Sequence, residues 1–291
     1  MHTVKGCYFW DKAHCVGLVD RFEKGSNRTW SGTTRGSGRW GGMRAVIGTA
    51  GWSIPALEAE RFPGEGTSLE RYASVLGGVE INSSFHRSHR ASTWQRWAES
   101  VPEHFRFSAK LPKTVTHQKK LVDCGELVGL FLEEVAGLGE KLEILLVQLP
   151  PKLAFVAEVA EPFLTDLRER SGVAIACEPR HPSWFEAEAD TLLAEIGVAR
   201  VAADPAVVPA AALPGGGGAL AYWRLHGSPV MYRSAYGAER LEAYAAAMAE
   251  AAAGGRRVWC MFDNTASSAA TGDALWLDDR LGTPAGGGAL R

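Results

Sequence analysis

Polar side chains that could carry out acid–base chemistry follow one apolar segment after another in this chain. Glu178 ends the segment VAIACE, Asp204 follows VARVAA, His226 ends LAYWRLH and Asp263 ends VWCMFD. A carboxylate beside an imidazole is the usual pairing for proton transfer. We therefore predict that these four residues are catalytic, with Glu178 and His226 as the acid–base pair.

A second group of side chains has the chemistry to bind a substrate. Lys110, Arg180 and Arg224 supply positive charge that could hold an anion. The other predicted substrate-binding residues lie near the same strand ends: Trp52, Asn82, Arg87, His117, His181, Tyr232 and Asn264. The segment NTASSAATG (264–272) precedes a predicted helix, so its backbone N–H groups either bind an anion or cap that helix.

Metal-assisted chemistry is an open alternative. The ligand types of a zinc, manganese or magnesium site are present at Glu178, His181, Asp204, His226 and Asp263. The spacings H-x-H and H-E-x-x-H do not occur, and Arg180 and Arg224 would repel a cation. We therefore assign no metal ligands and leave the cofactor open.

Eight apolar segments are predicted to be strands that position these residues. In most of them the apolar residues are nearly continuous and do not alternate with polar ones. The segments are 45–50, 78–83, 105–110, 144–149, 173–178, 198–203, 220–226 and 258–263. Such segments are typical of parallel strands buried on both faces. Helical patterns separate most of them, which predicts an α/β fold of the (β/α)8 TIM-barrel type. Active sites of such barrels lie at the carboxyl ends of the strands.

One of the eight predicted strand–helix units is irregular. The segment DPAVVPAAALPGGGG (204–218) has three prolines and four consecutive glycines, so we expect a loop in the sixth unit. A doubly wound open sheet is the structural alternative. It is disfavoured because GTAGWSIP (48–55) makes a poor phosphate loop after the first strand.

Composition excludes several classes of protein. The chain has 291 residues, of which 46% are hydrophobic and 22% charged, as in an ordinary globular protein. The formal net charge of −2 argues against a generally basic nucleic-acid binder. No apolar run reaches the length of about 18 residues that a membrane span needs. The five cysteines form no C-x-x-C pair, which predicts a cytoplasmic protein.

The first 43 residues differ in composition from the rest. They hold seven Lys/Arg and three Asp/Glu and are rich in Gly, Ser and Thr. We interpret residues 1–43 as a low-complexity extension, either a flexible arm or a mis-assigned start, with Met43 as the alternative translation start. The predicted barrel covers residues 44–281, and residues 282–291 are predicted to be a flexible tail.

The segment 85–120 is strongly basic, with eight Lys/Arg and two Glu. Such a segment could follow a phosphate backbone, which makes nucleic-acid binding the main competing function. Trp94 and Trp97 have helical spacing and are predicted to pack against the barrel. Trp52 and Trp184 are predicted to offer stacking surfaces for a sugar or a base.

A set of motifs resembles the domain of unknown function 72 (DUF72) family, in order along the chain: GTAGW (48–52), VEINSSFHR (79–87), FRFSAKLPKTVTH (105–117), LLVQLPP (145–151), EPRHPSWF (178–185), YWRLHGS (222–228) and FDNTASSAATGDAL (262–275). The resemblance implies a TIM barrel and covers nearly all of the predicted domain. Two positions depart from the family pattern: His86 stands where Tyr is usual, and Pro179 lies inside the acidic-x-Arg-His motif. Residues 1–42 have no counterpart in it.

Together these observations predict an enzyme of hydrolase or isomerase type at the carboxyl face of the barrel. Its substrate is expected to be a small anionic compound, either phosphorylated or polyhydroxylated. The alternative is a nucleic-acid-binding or nucleic-acid-processing protein that uses the basic segment 85–120. A scaffold role would require the polar strand ends to be paired only with one another. No membrane partner is expected, and the oligomeric state is open.

Overall fold

The computed structural model describes residues 45–282, which form an α/β fold whose strands are mostly parallel. The α/β class expected from the sequence is therefore confirmed. The predicted extension over residues 1–43, including Met43, and the tail from residue 283 onward lie outside the described residues. No helix within residues 45–282 combines the length and the apolar character needed to cross a membrane.

Ten strands and eight α-helices occur within the described residues. The strands are β1 (Ala45–Thr49), β2 (Gly78–Ile81), β3 (Arg106–Lys110), β4 (Leu142–Gln148), β5 (Ala174–Glu178), β6 (Ala199–Arg200), β7 (Ala202–Asp204), β8 (Gly215–Gly216), β9 (Leu220–Leu225) and β10 (Arg257–Phe262). The α-helices are α1 (Ser68–Ala73), α2 (Ser83–His86), α3 (Ala91–Glu99), α4 (Gly125–Val135), α5 (Ala157–Ser171), α6 (Ala187–Ile196), α7 (Ala238–Ala253) and α8 (Ala269–Leu281).

The strands pair in two sheets. One sheet has the order β1-β10-β9-β7, and the other has the order β2-β3-β4-β5-β6-β8. All pairs are parallel except β6 with β8. Each of the eight predicted strand segments overlaps an observed strand, and α-helices separate most of these strands, as the sequence predicts.

The irregular sixth unit that the sequence predicts is present. The predicted strand 198–203 is divided at Val201, because β6 pairs with β5 whereas β7 pairs with β9. Between β7 and β9 the chain forms only a 3-10 turn at Pro209–Ala212 and the two-residue strand β8. Proline and glycine exclude a regular helix there, because proline lacks the N–H donor and glycine has high backbone entropy.

The backbone ladders do not close into one eight-stranded barrel, so they do not confirm the TIM barrel that the sequence predicts. Between β1 and β2 the pairing is a single bridge from Ala50 to Glu80, in which the N–H of Gly51 donates to the Glu80 carbonyl at 2.8 Å. The backbone hydrogen bonds therefore define two sheets, which meet at this seam and at Val201.

Side chains of both sheets meet in one small apolar cluster, which we call the inner face. Its members are Ile144, Leu146, Ala176, Ala199, Val201, Leu220, Tyr222, Trp259 and Met261. Within each longer strand these are alternate residues, as the two-residue period of a strand requires. The residues between them, such as Leu145, Trp223 and Cys260, belong to the larger core, which also contains buried side chains of the helices.

Glycine at two positions allows β1 and β2 to approach closely. A Cβ added to Gly48 would lie 2.0 Å from the carbonyl oxygen of Gly78, and one added to Gly78 would lie 2.4 Å from Cγ1 of Val46. A side chain at either position would force the strands apart. The seam between the two sheets therefore depends on the absence of Cβ atoms there.

We expect Gly48→Ala to lower the free energy of unfolding by about 1–3 kcal/mol, the usual cost of an overpacked core site. Gly77→Ala is the matched control, because a Cβ at Gly77 would meet no atom within 4 Å. The control should change stability by less than about 1 kcal/mol. Urea unfolding measures both variants, and equal midpoints would show that the two strands do not approach as described.

Candidate active site

A buried arginine joins three carboxylates at the carboxyl ends of the strands. Arg224 of β9 forms a bidentate pair with Glu80 of β2, with Nε 2.8 Å from Oε2 and Nη2 2.6 Å from Oε1. Its Nη1 donates to Glu178 of β5 at 2.5 Å, and Nη2 donates to Asp263, after β10, at 3.0 Å. One guanidinium group thus connects residues from both sheets. Such a fork matches carboxylate geometry better than a lysine would.

A second layer of polar groups surrounds His226. Its Nδ1 donates to Asp263 Oδ2 at 3.0 Å, and its Nε2 lies 3.0 Å from Glu178 Oε1 and 2.8 Å from Arg180 Nη2. Arg180 also pairs with Glu178 at 2.5 Å. The structure therefore brings together Glu178, His226, Asp263, Arg180 and Arg224, all of which the sequence predicts as site residues.

Two carboxylates of this network, Glu178 and Asp263, are held in their charged form. Burial by itself raises the pKa of Glu178, but Arg180 and Arg224 outweigh it and hold that pKa well below its usual range. Burial likewise acts against the charge of Asp263, yet Arg224 and His226 lower its pKa. Because the ionised Asp263 can only accept, the proton of their hydrogen bond lies on His226 Nδ1.

Two members of the network are missing from the sequence-based prediction. Glu80 is completely buried, and the hydroxyl group of Tyr222 donates to its Oε2 at 3.0 Å. Ser108 Oγ lies 3.2 Å from the same hydroxyl group. The available signal is the acidic residue inside the apolar segment GVEINS, because a buried carboxylate requires a partner of opposite charge.

A cavity of about 460 Å³ opens above the network. Its lining combines polar and aromatic side chains: Asn82, Phe85, His86, Lys110, His117, Gln148, Pro151, Arg180, Tyr232 and Asp263. Six of these are predicted site residues. Glu178 and His226 lie beneath the lining and have no exposed side-chain surface, whereas the Asp263 side chain is 15% exposed.

Burial makes the charge of Lys110 easier to lose than that of an ordinary lysine. Its side chain is buried at the end of β3, and Nζ lies 4.2 Å from the ring centre of Phe85. Burial, with a smaller contribution from Arg224, lowers the pKa of Lys110 to about 8, although Glu80, Glu178 and Asp263 act in the opposite direction. Among residues 45–282, no ion pair or hydrogen bond of Nζ is found.

Two further observations bear on ligand binding at the cavity. Asn82 Oδ1 and Arg180 Nε are buried and have no hydrogen-bond partner among the described protein groups. Leaving such a group unpaired costs about 1–3 kcal/mol, so it requires an explanation. Burial, together with Lys110 and Arg180, lowers the pKa of His117, which favours its neutral form.

Asp204 lies outside the network although the sequence predicts it as catalytic. Its Oδ2 accepts from the hydroxyl group of Tyr236 at 2.6 Å, and its Oδ1 accepts from Arg240 at 2.7 Å. The cause is its register in the sheet: Asp204 is paired with Leu225, whereas Ala203 is paired with Arg224. Asp204 therefore points away from the inner face.

The structure also places four predicted binding residues away from the cavity lining. His181 Nδ1 contacts Ser183 at 2.8 Å, and Asn264 donates to the Ser234 carbonyl at 2.9 Å and to Asp273 at 2.7 Å. Trp52 packs edge-on against Trp97, with ring centres 5.2 Å apart. Arg87 is exposed after α2.

Two of the tryptophans are buried rather than available for stacking. Trp184 is 1% exposed and its Nε1 donates to the Leu153 carbonyl at 2.9 Å, so the stacking surface expected there is absent. Trp94 has no exposed surface, which agrees with the packing role expected for it.

Only three of the five residues considered as metal ligands come together, namely Glu178, His226 and Asp263. Within residues 45–282, no group of three or more His, Cys, Asp or Glu side chains has a metal-binding arrangement. His181 and Asp204 have the other partners described above. Arginine side chains contact the carboxylates that remain, Glu178 and Asp263.

The loop after β9 brings Tyr232 over the network. Its backbone has a left-handed φ of 66°, and its ring lies edge-on to His226 with centres 5.6 Å apart. Gly227, with φ of 90°, begins the loop, and a Cβ there would lie 2.7 Å from the Ser234 carbonyl oxygen. Asp204, through Tyr236, and Asn264, through Ser234, anchor this loop. Both residues therefore contribute indirectly to the cavity.

Comparison with known proteins identifies the family. The model of the family described as "Protein of unknown function DUF72" matches residues 46–288, and the chain therefore belongs to the DUF72 family. It is similar to the UPF0759 protein YecE of Escherichia coli strain K12, with 33% identity over 151 residues, 50% of this chain and 55% of that protein. The YecE protein of Escherichia coli O157:H7 is 36% identical over 84 residues, 29% of this chain and 31% of that protein. The chain thus matches about half or less of the length of these curated relatives.

Solved structures of the same family share the fold. A DUF72 family protein from Enterococcus faecalis V583 superposes with a TM-score of 0.69 at 20% identity, covering 82% of this chain and 96% of that one. A DUF72 family protein from Thermotoga maritima MSB8 gives 0.68 at 23% identity, covering 82% and 99%.

We expect Arg224→Leu to lower the free energy of unfolding by about 3–5 kcal/mol, because it leaves Glu80 buried without its ion-pair partner and Glu178 with Arg180 alone. Arg224→Lys should have a smaller effect, since it keeps the charge but loses the fork. Urea unfolding at neutral pH measures both.

Arg280→Ala is the control for loss of an arginine–carboxylate pair. Arg280 pairs with Glu242 at the surface, where both side chains are about half exposed. Its loss should cost about 0–1 kcal/mol. An Arg224→Leu protein as stable as this control would contradict the buried network.

Proposed function

We propose that this chain is an enzyme of hydrolase or isomerase type that acts on a small anionic substrate, phosphorylated or polyhydroxylated, in the cavity. The observation that carries the proposal is the convergence of Lys110, Arg180 and His117 on one cavity beside the exposed edge of Asp263. Cationic donors suit an anionic ligand, and groups with displaced pKa values concentrate at active sites.

The proposal includes closure of the two sheets into a TIM barrel. Its support is the inner face, where side chains from both sheets pack together, and the close contact of Gly48 with Gly78 at the β1–β2 seam. Counting β6 and β7 as one strand and omitting β8 gives eight parallel strands in succession. In such a barrel the cavity lies at the face where active sites occur.

The network suggests separate roles for contact and for positioning. Asp263, ionised and partly exposed, is the proton acceptor or the group that orients a substrate hydroxyl. Lys110, charged below its pKa of about 8, is the proton donor and shares the anion with Arg180. Glu178 and His226 hold Arg180 and Asp263 in place from below, because their own side chains have no exposed surface.

A cytoplasmic location belongs to the same proposal. Three cysteines among the described residues, Cys124, Cys177 and Cys260, are free and buried. Unpaired cysteines of this kind are typical of proteins in a reducing compartment.

We expect the affinity for glycerol 3-phosphate to fall several-fold as the pH rises from about 7 to about 9.5. Lys110 is cationic below its pKa of about 8 and neutral above it. The phosphate group, with a second pKa of about 6, stays a dianion over this range. The loss therefore comes from the protein, and isothermal titration calorimetry measures it.

Lys110→Arg is the matched variant, since arginine keeps its charge over this pH range. It should abolish the pH-dependent loss of affinity. An affinity that falls equally in both proteins would show that Lys110 does not contact the anion.

Nucleic-acid binding is the second candidate function, and one observation favours it. Six basic side chains of the segment 85–120 are exposed and form no ion pair with any residue in 45–282: Arg87, Arg90, Arg96, Lys113, Lys119 and Lys120. They could neutralise several backbone phosphates.

If nucleic acid is the ligand, affinity for a short single-stranded oligonucleotide must decrease steeply with salt. Replacing Lys119 and Lys120 with alanine should then reduce the slope of log Kd against log salt by about 1 for each phosphate that is no longer neutralised. Lys152→Ala, an exposed lysine outside this segment, is the control. Binding with no salt dependence would exclude this function.

A further inference from the structure

We propose that Lys110 is a covalent nucleophile that forms an imine with an aldehyde or ketone carrying a phosphate or carboxylate group. The inference rests on the proposed function, because it uses the same cavity and narrows its substrate to carbonyl compounds. It also favours the isomerase alternative, since an imine acidifies the carbon next to it.

The position of Lys110 suits a nucleophile better than a purely structural cation. Lys110 is the last residue of β3 and lies on the same side of the sheet as the inner face. Its side chain lines the cavity, with Nζ beside the ring of Phe85. A structural lysine buried to this degree normally has a carboxylate partner. Here the three nearby carboxylates bind Arg224 or Arg180 instead, and no described residue forms an ion pair with Nζ.

The amine is available in its reactive form near neutral pH. With a pKa of about 8, roughly a tenth of Lys110 is neutral at pH 7. An ordinary lysine has a pKa of about 10.4, so less than about one part in a thousand is neutral under the same conditions. Nucleophilic lysines are usually activated in this way, by partial removal from water or by a neighbouring cation, because both favour the neutral amine.

The reaction balances without an added oxidant or reductant. The lone pair of neutral Nζ attacks the carbonyl carbon, the C–N bond forms, and the carbonyl electrons move to oxygen. A proton passes from nitrogen to that oxygen and gives the carbinolamine. Protonation of its hydroxyl group then releases water, and the nitrogen lone pair forms the C=N bond of the iminium ion.

Neighbouring groups can carry the protons and hold the charge. His117 lines the same cavity, and its lowered pKa favours the neutral ring, which can accept and return a proton. Asp263 is ionised and partly exposed, so it can accept a proton or orient the leaving water. Arg180 is the donor for the phosphate or carboxylate group, and its Nε has no partner among the described protein groups.

The experiment compares dihydroxyacetone phosphate with glycerol 3-phosphate, two molecules of nearly equal size and charge that differ in the carbonyl group. The complete chain is incubated with each compound, reduced with sodium borohydride and analysed by peptide mass spectrometry. We expect a reduced adduct on Lys110 with the ketone and none with the alcohol. Modification of Lys110 should exceed that of the exposed Lys113 at least tenfold, and excess glycerol 3-phosphate should suppress it.

Two variants control for charge and for folding. Lys110→Arg keeps a cation and should still bind glycerol 3-phosphate but form no adduct. Lys152→Arg, at an exposed lysine outside the basic segment, should leave both binding and trapping unchanged. If Lys110→Arg does not fold, peptide mapping of the wild-type chain still identifies the modified lysine, and Lys110→Met is the alternative variant.

The outcomes separate this inference from the proposed function. Binding of glycerol 3-phosphate with no adduct on Lys110 overturns the imine but leaves the anion site in place. Adducts distributed equally over Lys110 and the surface lysines overturn the imine in the same way. A specific adduct on Lys110 without binding of glycerol 3-phosphate supports the nucleophile and overturns the anion site. If neither is observed, both proposals are wrong.

Discussion

The guanidinium group of Arg224 is the interaction on which the rest of the site depends. It binds Glu80 and Glu178 from one sheet and Asp263 from the other, and it has almost no contact with solvent. A buried network of this kind is poor evidence for stability, because well-packed apolar residues of the same volume are often more stable. What the network does provide is geometry, since each carboxylate must face a fixed donor. It thereby fixes the register of the strand ends and the positions of Arg180 and His226.

The alternation of residues along each strand decides which of the predicted site residues reach the cavity. Residues 80, 108, 110, 148, 178 and 224 continue the same alternate series as the apolar inner face, and Asn82, Arg180, His226 and Asp263 extend it beyond the strand ends. Asp204 and Asn264 are one residue out of phase and face the anchoring loop. A two-residue count from the apolar positions therefore distinguishes the groups, and it can be made from the sequence once the strands are known.

Other features of the site depend on contacts that the sequence does not display. The strands and most helices were predictable because long apolar runs and Gly or Pro boundaries are local signals. The sequence does not reveal the role of Glu80, because its partner Arg224 lies 144 residues away in the chain. Trp52 has the correct alternation, but the left-handed φ of 77° at Gly51 turns the chain before it. The burial of Glu178 and His226 depends on loops that cover them, which no strand pattern contains.

The buried carboxylates affect the two main cations of the cavity, Arg180 and Lys110, in different ways. Arg180 makes a direct pair with Glu178, and a guanidinium group stays protonated at any physiological pH. Lys110 experiences the same carboxylates only at a distance, after arginines have largely neutralised them, so burial dominates and its pKa falls to about 8. A permanent cation suits the holding of an anion, whereas a cation that readily loses its proton suits chemistry. This difference between Arg180 and Lys110 follows from which side chains form ion pairs with the carboxylates. Arg224 pairs with all three of them, so none is left to pair with Lys110.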